Sequence, residues 1–405
     1  MRTSLIRMAS AGACAAALGW CGAVAAQNVV SGGAWLPLPL YREAIDAAAT
    51  PAMLPYVGAG STLGLRAFLT NDATPFERVG PVHWVGSDAV LTQGQVDHYL
   101  TLGPGRLGDP AGHGPLIQMP AAYVPVTLSY KGPAGPVTLT RTQLCAVLSG
   151  LIDRWSQLGV TVAPALDAFK VVVRADGSGT TELLTRHLGA ACGGQPYAAF
   201  HGQAVFADAF QPGPLPPHFV AAQGEGGVAV AMAGQVSALA YMGPDAVFTE
   251  GLKQAWLVNP HDGVAYLPTA ANVVAAMESY GYPGLPTGAT VARRPGDATW
   301  SRPDNPGNPL NWVRVLADPL QGYPIVGSTN FVLSQCYADP AAAAAIRLFL
   351  KRHYDDTARV ADHQLVPLPA MVRARLLATF VNPAGAGGGL TIGHGAVCGD
   401  IAGRG

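Results

Sequence analysis

Charge is scarce in this 405-residue chain: Asp, Glu, Lys and Arg together make up 12% of it, against 49% hydrophobic residues. The 24 basic and 25 acidic residues almost cancel, so no basic face exists to neutralise a phosphate backbone, and a nucleic-acid partner is excluded. Cysteine is also sparse, at six, and no two are spaced C-x-x-C, which argues against a zinc cluster or a thiol redox centre. No serine sits in a G-x-S-x-G elbow, and neither a G-x-x-x-x-G-K-[ST] loop nor an H-E-x-x-H helix occurs. "GAGSTLG" approaches a nucleotide loop but lacks its Lys. The ten His are scattered, and His83, beside Trp84, reads as packed structure. No solenoid period is present. Nothing here calls for a metal or a cofactor, and no nucleophile with its base is evident.

Hydrophobic surface, glycine and proline are plentiful, with 50 Gly and 34 Pro marking many turns between buried elements. The first residues, "MRTSLIRMASAGACAAALGWCGAVAAQN", carry Arg2 and Arg7, an apolar Ala-rich run and the small residues Ala23 to Ala26. This is the pattern of a signal peptide over residues 1–26, cleaved after Ala25 or Ala26. A membrane anchor is the lesser alternative, and Trp20 before Cys21 speaks against a lipoprotein. Export would leave a net charge of about −3 and four cysteines, Cys145, Cys192, Cys336 and Cys398. An even number in an exported chain suggests two disulfides; of the three possible pairings, the short-range one, Cys145–Cys192 and Cys336–Cys398, is preferred.

The length suggests two domains. Strand-like runs that end in small residues alternate with apolar-periodic runs. "VVSGGAWLPLPLYREAIDAAA" reads as strand, turn and helix. "LPYVGAGSTLGLRAFL" repeats that order, with Ser61 and Thr62 opening the helix. A strand at Val82 to Val85 leads into Gly86-Ser87-Asp88. "LIQMPAAYVPVTLSYK" reads as a strand crossing between domains, and Thr140 to Leu158 as an amphipathic helical stretch. "VVVRADGSGTTELLTRHL" is again strand, turn and helix. A further strand is expected at Ala238 to Met242, and "PAAAAAIRLFLKRHY" as a helix. The fold class is therefore α/β with mainly parallel sheets, whose ligands sit beyond the carboxyl ends of the strands. Four junctions share that position, at Trp35/Leu36, at Ser61, at Ser87/Asp88 and from Arg174 to Thr180. Their recurrence points to one converging site.

The chemistry of these junctions suits an oxyanion. Helix N-termini present free N–H groups and a favourable dipole, and glycine lets the backbone approach closely. Ser and Thr hydroxyls donate without adding charge. Arg174 offers a planar fork, which Asp176 could hold in place. Read alone, "DGSGTT" would serve equally as an ordinary helix cap. Asp88 is the exception, because a carboxylate repels an anion unless that anion carries a proton. Hydrogen phosphate can donate to it; sulfate cannot. An unpaired charge of that kind in a closed cleft costs roughly 2–5 kcal/mol. Asp88 would then select the ligand, unless it merely caps a turn.

Together, "SGGAWLPLPLY", "YVGAGSTLG", "VHWVGSDAVLT", "LCAVLSGLIDRWS", "RADGSGTTELLTRHL", "GYPIVGSTNFVLSQCY" and "AVCG" resemble the periplasmic phosphate-binding proteins of ABC transporters, and more closely their DING subfamily. The likeness spans nearly all of the chain after residue 26. It implies a periplasmic-binding-protein-like fold of type II, with two α/β lobes joined by a hinge, residues 27–120 and 248–405 forming one lobe and 121–247 the other. It implies capture of inorganic phosphate without catalysis by a periplasmic or secreted monomer, with a membrane ABC permease as a possible partner. Carried over onto this sequence, the ligand contacts fall on Leu36, Ser61, Asp88, Arg174, Ser178, Gly179 and Thr180, with Trp35 in the same first loop and Asp176 behind Arg174. The four cysteines resemble the subfamily's two disulfides, in the short-range pairing. Two departures stand out. "NVVSGGA" replaces the name-giving Asp-Ile-Asn-Gly start. Trp35 stands where the family usually has Thr, which removes a hydrogen bond to a charged group worth roughly 1.5–3 kcal/mol. Two alternatives stay open: a secreted phosphomonoesterase, and an adhesin or interaction protein that kept the fold without the ligand.

Overall fold

A computed structural model describes residues 28–405 apart from 49, 51, 195, 280–284 and 383–388. The signal peptide expected at 1–26 lies outside the described residues. The strands begin with β1 (Ser31–Gly33), β2 (Val57–Gly58), β3 (Trp84–Ser87), β4 (Leu116–Pro125), β5 (Thr127–Lys131) and β6 (Thr138–Leu139). They continue with β7 (Lys170–Arg174), β8 (Phe219–Ala222), β9 (Ala238–Met242), β10 (Lys253–Gln254), β11 (Trp256–Val258), β12 (Ala265–Tyr266) and β13 (Val326–Ser334). Two five-stranded sheets result, β2-β1-β3-β13-β4 and β10-β5-β9-β7-β8, with a small third sheet, β12-β11-β6.

The two large sheets share one plan. In the first, β1 is parallel to β2 and β3, while β13 is antiparallel to β3 and β4. In the second, β7 is parallel to β8 and β9, while β5 is antiparallel to β9 and β10. The expectation of mainly parallel sheets is thus corrected to mixed ones. Parallel neighbours need a helical crossover, and the β4–β5 passage has none. Only Val126 separates the two strands, so the chain runs from one sheet straight into the other. That passage also places the expected lobe boundary at 120/121 inside β4. The boundary at 247/248 falls before β10, which still pairs with β5 in the second sheet.

Burial explains the strands. All ten residues of β4 and all nine of β13 are buried, as are Val171, Val172 and Val173 of β7. Each fully buried valine contributes roughly 1.5–3 kcal/mol. Helices Leu38–Ala48, Ser61–Thr70, Gly179–Cys192, Gly224–Ala233 and Pro340–Asp355 cover the sheets. The helical stretch expected over Thr140 to Leu158 is broken: a helix spans Arg141–Leu148 and a single 3-10 turn spans Trp155–Leu158. Gly150, at φ 76°, ends the first piece in the left-handed region that glycine favours.

Both expected disulfides are present, Cys145–Cys192 and Cys336–Cys398. The second ties the Gly-rich tail to the end of β13. The tail is held again by buried Arg404, which donates to Ser334 Oγ at 2.7 Å, to the Val82 carbonyl at 2.8 Å and to the Tyr99 hydroxyl at 3.0 Å. Its guanidinium lies 3.9 Å above the Phe68 ring. His83 is structural: its Nδ1 accepts from the Val30 N–H at 3.0 Å, and burial pushes the imidazole down to about 4, so it is neutral.

Candidate functional site

The parallel halves of the two sheets carry the expected junctions, and the fold brings these together. Trp35 and Leu36 follow β1, Asp88 follows β3, and Arg174 ends β7. Ser61 opens one helix; Ser178 caps another, which Gly179 and Thr180 begin. The two helix N-termini face each other from opposite sheets. Thr62 N–H donates to the Gly177 carbonyl at 3.4 Å. A Cβ on Gly179 would lie 2.6 Å from the Ala89 nitrogen and 2.7 Å from Asp88 Cβ, so only glycine permits this approach.

The two ends are capped differently. Ser178 Oγ accepts from the Thr181 N–H at 3.1 Å, an ordinary N-cap. Gly60, at φ 92°, precedes the Ser61 helix and supplies no side-chain cap. Ser61 Oγ instead accepts from the Asp88 N–H at 3.2 Å, which joins the β1–β3 side of the site.

Asp88 is buried between these ends. Its Oδ2 accepts from Thr180 Oγ1 at 3.4 Å across the two sheets, and its Oδ1 is buried without a hydrogen-bond partner. Burial pushes this carboxyl up to about 7; the neighbouring Thr329 hydroxyl pulls it down, Glu225 raises it, and Arg174 and Thr180 lower it. An orphaned, desolvated carboxylate oxygen beside two helix N-termini is suited to accept a hydrogen bond from a protonated oxyanion.

Arg174 is buried and held on two sides. Asp176 takes Nε at 2.7 Å through Oδ1 and Nη2 through Oδ2, and Glu225 Oε2 takes Nη1 at 2.8 Å. A guanidinium has five N–H donors, so one N–H on each terminal nitrogen is left over. Asp176 is itself anchored by the Gly224 N–H at 2.9 Å, and Glu225 Oε1 by the Gly243 N–H. Burial works against the Asp176 carboxylate, yet Arg174 and the Gly224 N–H hold it below the usual range. Burial keeps Glu225 above the usual range despite Arg174.

Trp35 fills the space beside this cluster. Its ring lies against Gly58 of β2, and a Cβ on Gly224 would come within 2.9 Å of it. The indole therefore bridges the two sheets. Its Nε1 is buried without a partner. Leu36 packs the same way against Gly243, where a Cβ would meet its Cγ at 2.8 Å.

Sequence reasoning missed Glu225, Gly224, Gly243 and Thr329. Glu225 sits in the first turn of a helix, where an acidic residue is an ordinary dipole partner and carries no special signal. Thr329 had a visible signal: Ser328, Thr329 and Asn330 interrupt an otherwise apolar strand. In β13 they are fully buried, and the register with β4 shifts between Thr329 and Asn330. Such bulges re-aim side chains next to sites.

The family model described as a PBP superfamily domain matches residues 23–295. The chain is 35% identical over 380 residues to alkaline phosphatase L of Pseudomonas aeruginosa, covering 92% of this chain and 93% of that protein. It is 31% identical to the phosphate-binding protein from Stenotrophomonas maltophilia in its crystal structure, with a TM-score of 0.75, over 94% of this chain and 100% of that one. With PfluDING, a high-affinity periplasmic phosphate-binding protein solved with phosphate at pH 8.5, the identity is 33% and the TM-score 0.74, over 94% and 100% of the two chains.

Proposed function

This chain belongs to the PBP superfamily, in the group that holds the DING phosphate-binding proteins, and from that premise we propose that it captures inorganic phosphate, as hydrogen phosphate, between its two sheets. The observation that carries this reading is the convergence of two helix N-termini and the Arg174 fork on Asp88, whose Oδ1 is buried and unpartnered. In the proposed complex, the Leu36 backbone, Ser61, Ser178, Gly179, Thr180 and the free edge of Arg174 donate to the oxyanion, and Asp88 accepts its proton. Trp35 closes the first loop over it. The two lobes close on the ligand by rotation about the β4–β5 passage. The protein acts as an exported monomer, periplasmic or secreted, that delivers phosphate to a membrane ABC permease or scavenges it. Among the described residues no helix is long and apolar enough to cross a membrane.

The test is titration of phosphate-stripped protein by calorimetry and tryptophan fluorescence. Wild-type protein binds phosphate and quenches or shifts the Trp35 signal. Arg174→Ala weakens binding by at least about thirtyfold, since truncating one partner of a buried charge pair costs about 2–5 kcal/mol. Wild-type affinity in that variant would remove the site assignment. A second reading, hydrolysis of phosphate esters, rests on the Thr180 hydroxyl lying 3.4 Å from Asp88. Turnover of p-nitrophenyl phosphate that disappears in Arg174→Ala would establish it.

A further inference from the structure

Asp88 is flanked from its own sheet as well as from across the cleft. Asn330 of β13 pairs with Ser87 of β3 in antiparallel register. The next residues along, Thr329 and Asp88, therefore come side by side at the end of β3, with their side chains on one face of the sheet. Tyr41 reaches that face from the helix that follows the Trp35/Leu36 loop. Its hydroxyl lies 3.3 Å from Thr329 Oγ1, and its ring packs 5.1 Å from that of Phe331, two residues further along the strand. Tyr41 and Thr329 have no exposed surface.

The backbone of Asp88 is fixed separately. Asn330 Nδ2 donates to the Ser87 carbonyl at 3.0 Å, and Ser61 Oγ accepts from the Asp88 N–H. The carboxyl itself is left to hydroxyls. Thr180 donates to it from the second sheet, a bond made only while the two sheets are together. Thr329 belongs to the first sheet and stays beside Asp88 when the lobes part. A carboxylate only accepts hydrogen bonds, so the hydroxyl chain runs one way: Tyr41 donates to Thr329, and the Thr329 proton is free for Asp88. That hydroxyl favours the ionised carboxyl against its burial. The other groups around Asp88 do not replace it. Arg174 acts in the same direction but is shared between Asp176 and Glu225, and Glu225 acts against it. Tyr41, Tyr56 and the His353 imidazole behind Tyr41 are held neutral by burial.

We propose that Thr329, held by Tyr41, is a positioning residue of the anion site, which aims the ionised Asp88 carboxylate at the ligand before the lobes close and so sets the preference for a protonated oxyanion. The inference rests on the phosphate-binding reading and deepens it. An acceptor arranged in advance loses little freedom when the anion arrives. Ionised, it accepts the proton that hydrogen phosphate carries and repels sulfate. Without the Thr329 hydroxyl, the same buried carboxyl keeps its own proton to higher pH. It can then donate to sulfate, and selection weakens. A purely structural Thr329 would affect both anions alike.

Thr329→Val keeps the branched shape and removes the hydroxyl. Calorimetric titration of ligand-stripped protein with phosphate and with sulfate, both at about pH 8.5, should show the preference for phosphate reduced about tenfold, because loss of a hydrogen bond to a charged group moves the carboxyl up by at least one pH unit. NMR of ligand-free protein labelled at the aspartate carboxyl carbons reads that titration directly, the Asp88 signal being the one absent from Asp88→Asn. Its midpoint should rise by about one unit or more in Thr329→Val. Thr329→Ser restores the hydroxyl; it should return the midpoint to the wild-type value and the preference to within about threefold of wild type. Valine leaves the Tyr41 hydroxyl without its partner. Tyr41→Phe combined with Thr329→Val removes both, and should show the same loss of preference if the single variant folds poorly. Circular dichroism and melting confirm that each variant is folded. An unchanged preference and midpoint in folded Thr329→Val, or in the folded double variant, overturns the proposal while leaving phosphate binding intact. A Thr329→Ser variant that behaves like Thr329→Val overturns it too. Absence of phosphate binding by wild-type protein overturns the underlying reading as well.

Discussion

Replacing Asp88 with Asn tests the selection of the oxyanion and, at the same time, the burial of its carboxyl. The two side chains have the same shape, so Thr180 and Ser61 keep their places. Sulfate brings no proton, so it requires Asp88 either protonated or unpaired. The carboxyl titrates at about 7. Holding it protonated at pH 8.5 costs about 2 kcal/mol, at 1.36 kcal/mol for each pH unit above that value. Leaving it ionised and unpaired costs roughly 2–5 kcal/mol. The lower of these routes sets the wild-type preference for phosphate over sulfate, at least about thirtyfold at pH 8.5 and shrinking as pH falls toward 7. In Asp88→Asn the amide can donate to either anion, and the preference should drop below about tenfold and stop varying with pH. Stability should move the opposite way. A folded-state value raised from 3.8 to about 7 means that the folded protein holds the proton over that interval and loses stability as pH rises through it. The full difference is on the order of 4 kcal/mol above pH 7 and nothing below about 4. Phosphate-free Asp88→Asn should therefore melt higher than wild type at pH 8.5 and equally at pH 4. Calorimetric titration with both anions, paired with melting at both pH values, reads all of this. A pH-independent wild-type preference, or an Asp88→Asn variant that still rejects sulfate, would refute the reasoning.

Three further outcomes follow from the geometry. Gly179→Ala puts a methyl against Ala89 N and Asp88 Cβ, so the two helix ends cannot close; phosphate affinity should fall at least a hundredfold, with folding nearly intact by circular dichroism. Replacing Cys145 and Cys192 with Ser opens a link across 47 residues, for which loop entropy predicts a loss of about 4 kcal/mol in denaturant titration. His363 donates to Asp245 at 2.7 Å and faces Glu43 at 3.1 Å, with Arg359 beside them. The Asp245 hydrogen bond raises its pKa although burial lowers it. Its stabilisation is complete below the ordinary His value and lost as pH rises through the folded one. His363→Gln should lower the melting temperature at pH 5.5 and leave it unchanged at pH 9.

Asp176 was legible as the partner of Arg174 because the two lie two residues apart at one strand end, where local geometry alone brings them together. The same is true of Ser178, Gly179 and Thr180, which a strand–turn–helix pattern places at a helix N-terminus whatever the rest of the chain does. Ser61 and Asp88 were legible as separate junctions of that kind. The helix at Pro340–Asp355 and the strand at Ala238–Met242 were readable from apolar period and propensity. These are local properties, decided within about ten residues by capping, period and glycine freedom.

What only the tertiary structure decided is long-range. The antiparallel half of the first sheet depends on β13 returning between β3 and β4, across some two hundred residues of intervening chain, and that of the second on β5 pairing with β9 and β10. Glu225 reaches Arg174 from the helix after β8, the Gly243 N–H that holds Glu225 comes from the end of β9, and nothing near them in sequence announces either contact. Trp35 reads as a lost hydroxyl in the sequence; in the fold it is an indole wedged between Gly58 and Gly224, and both glycines are needed to admit it. The raised titration of Asp88 has the same origin. A sequence specifies the carboxyl, but burial by two converging sheets and the proximity of Glu225 set the free energy of its charge.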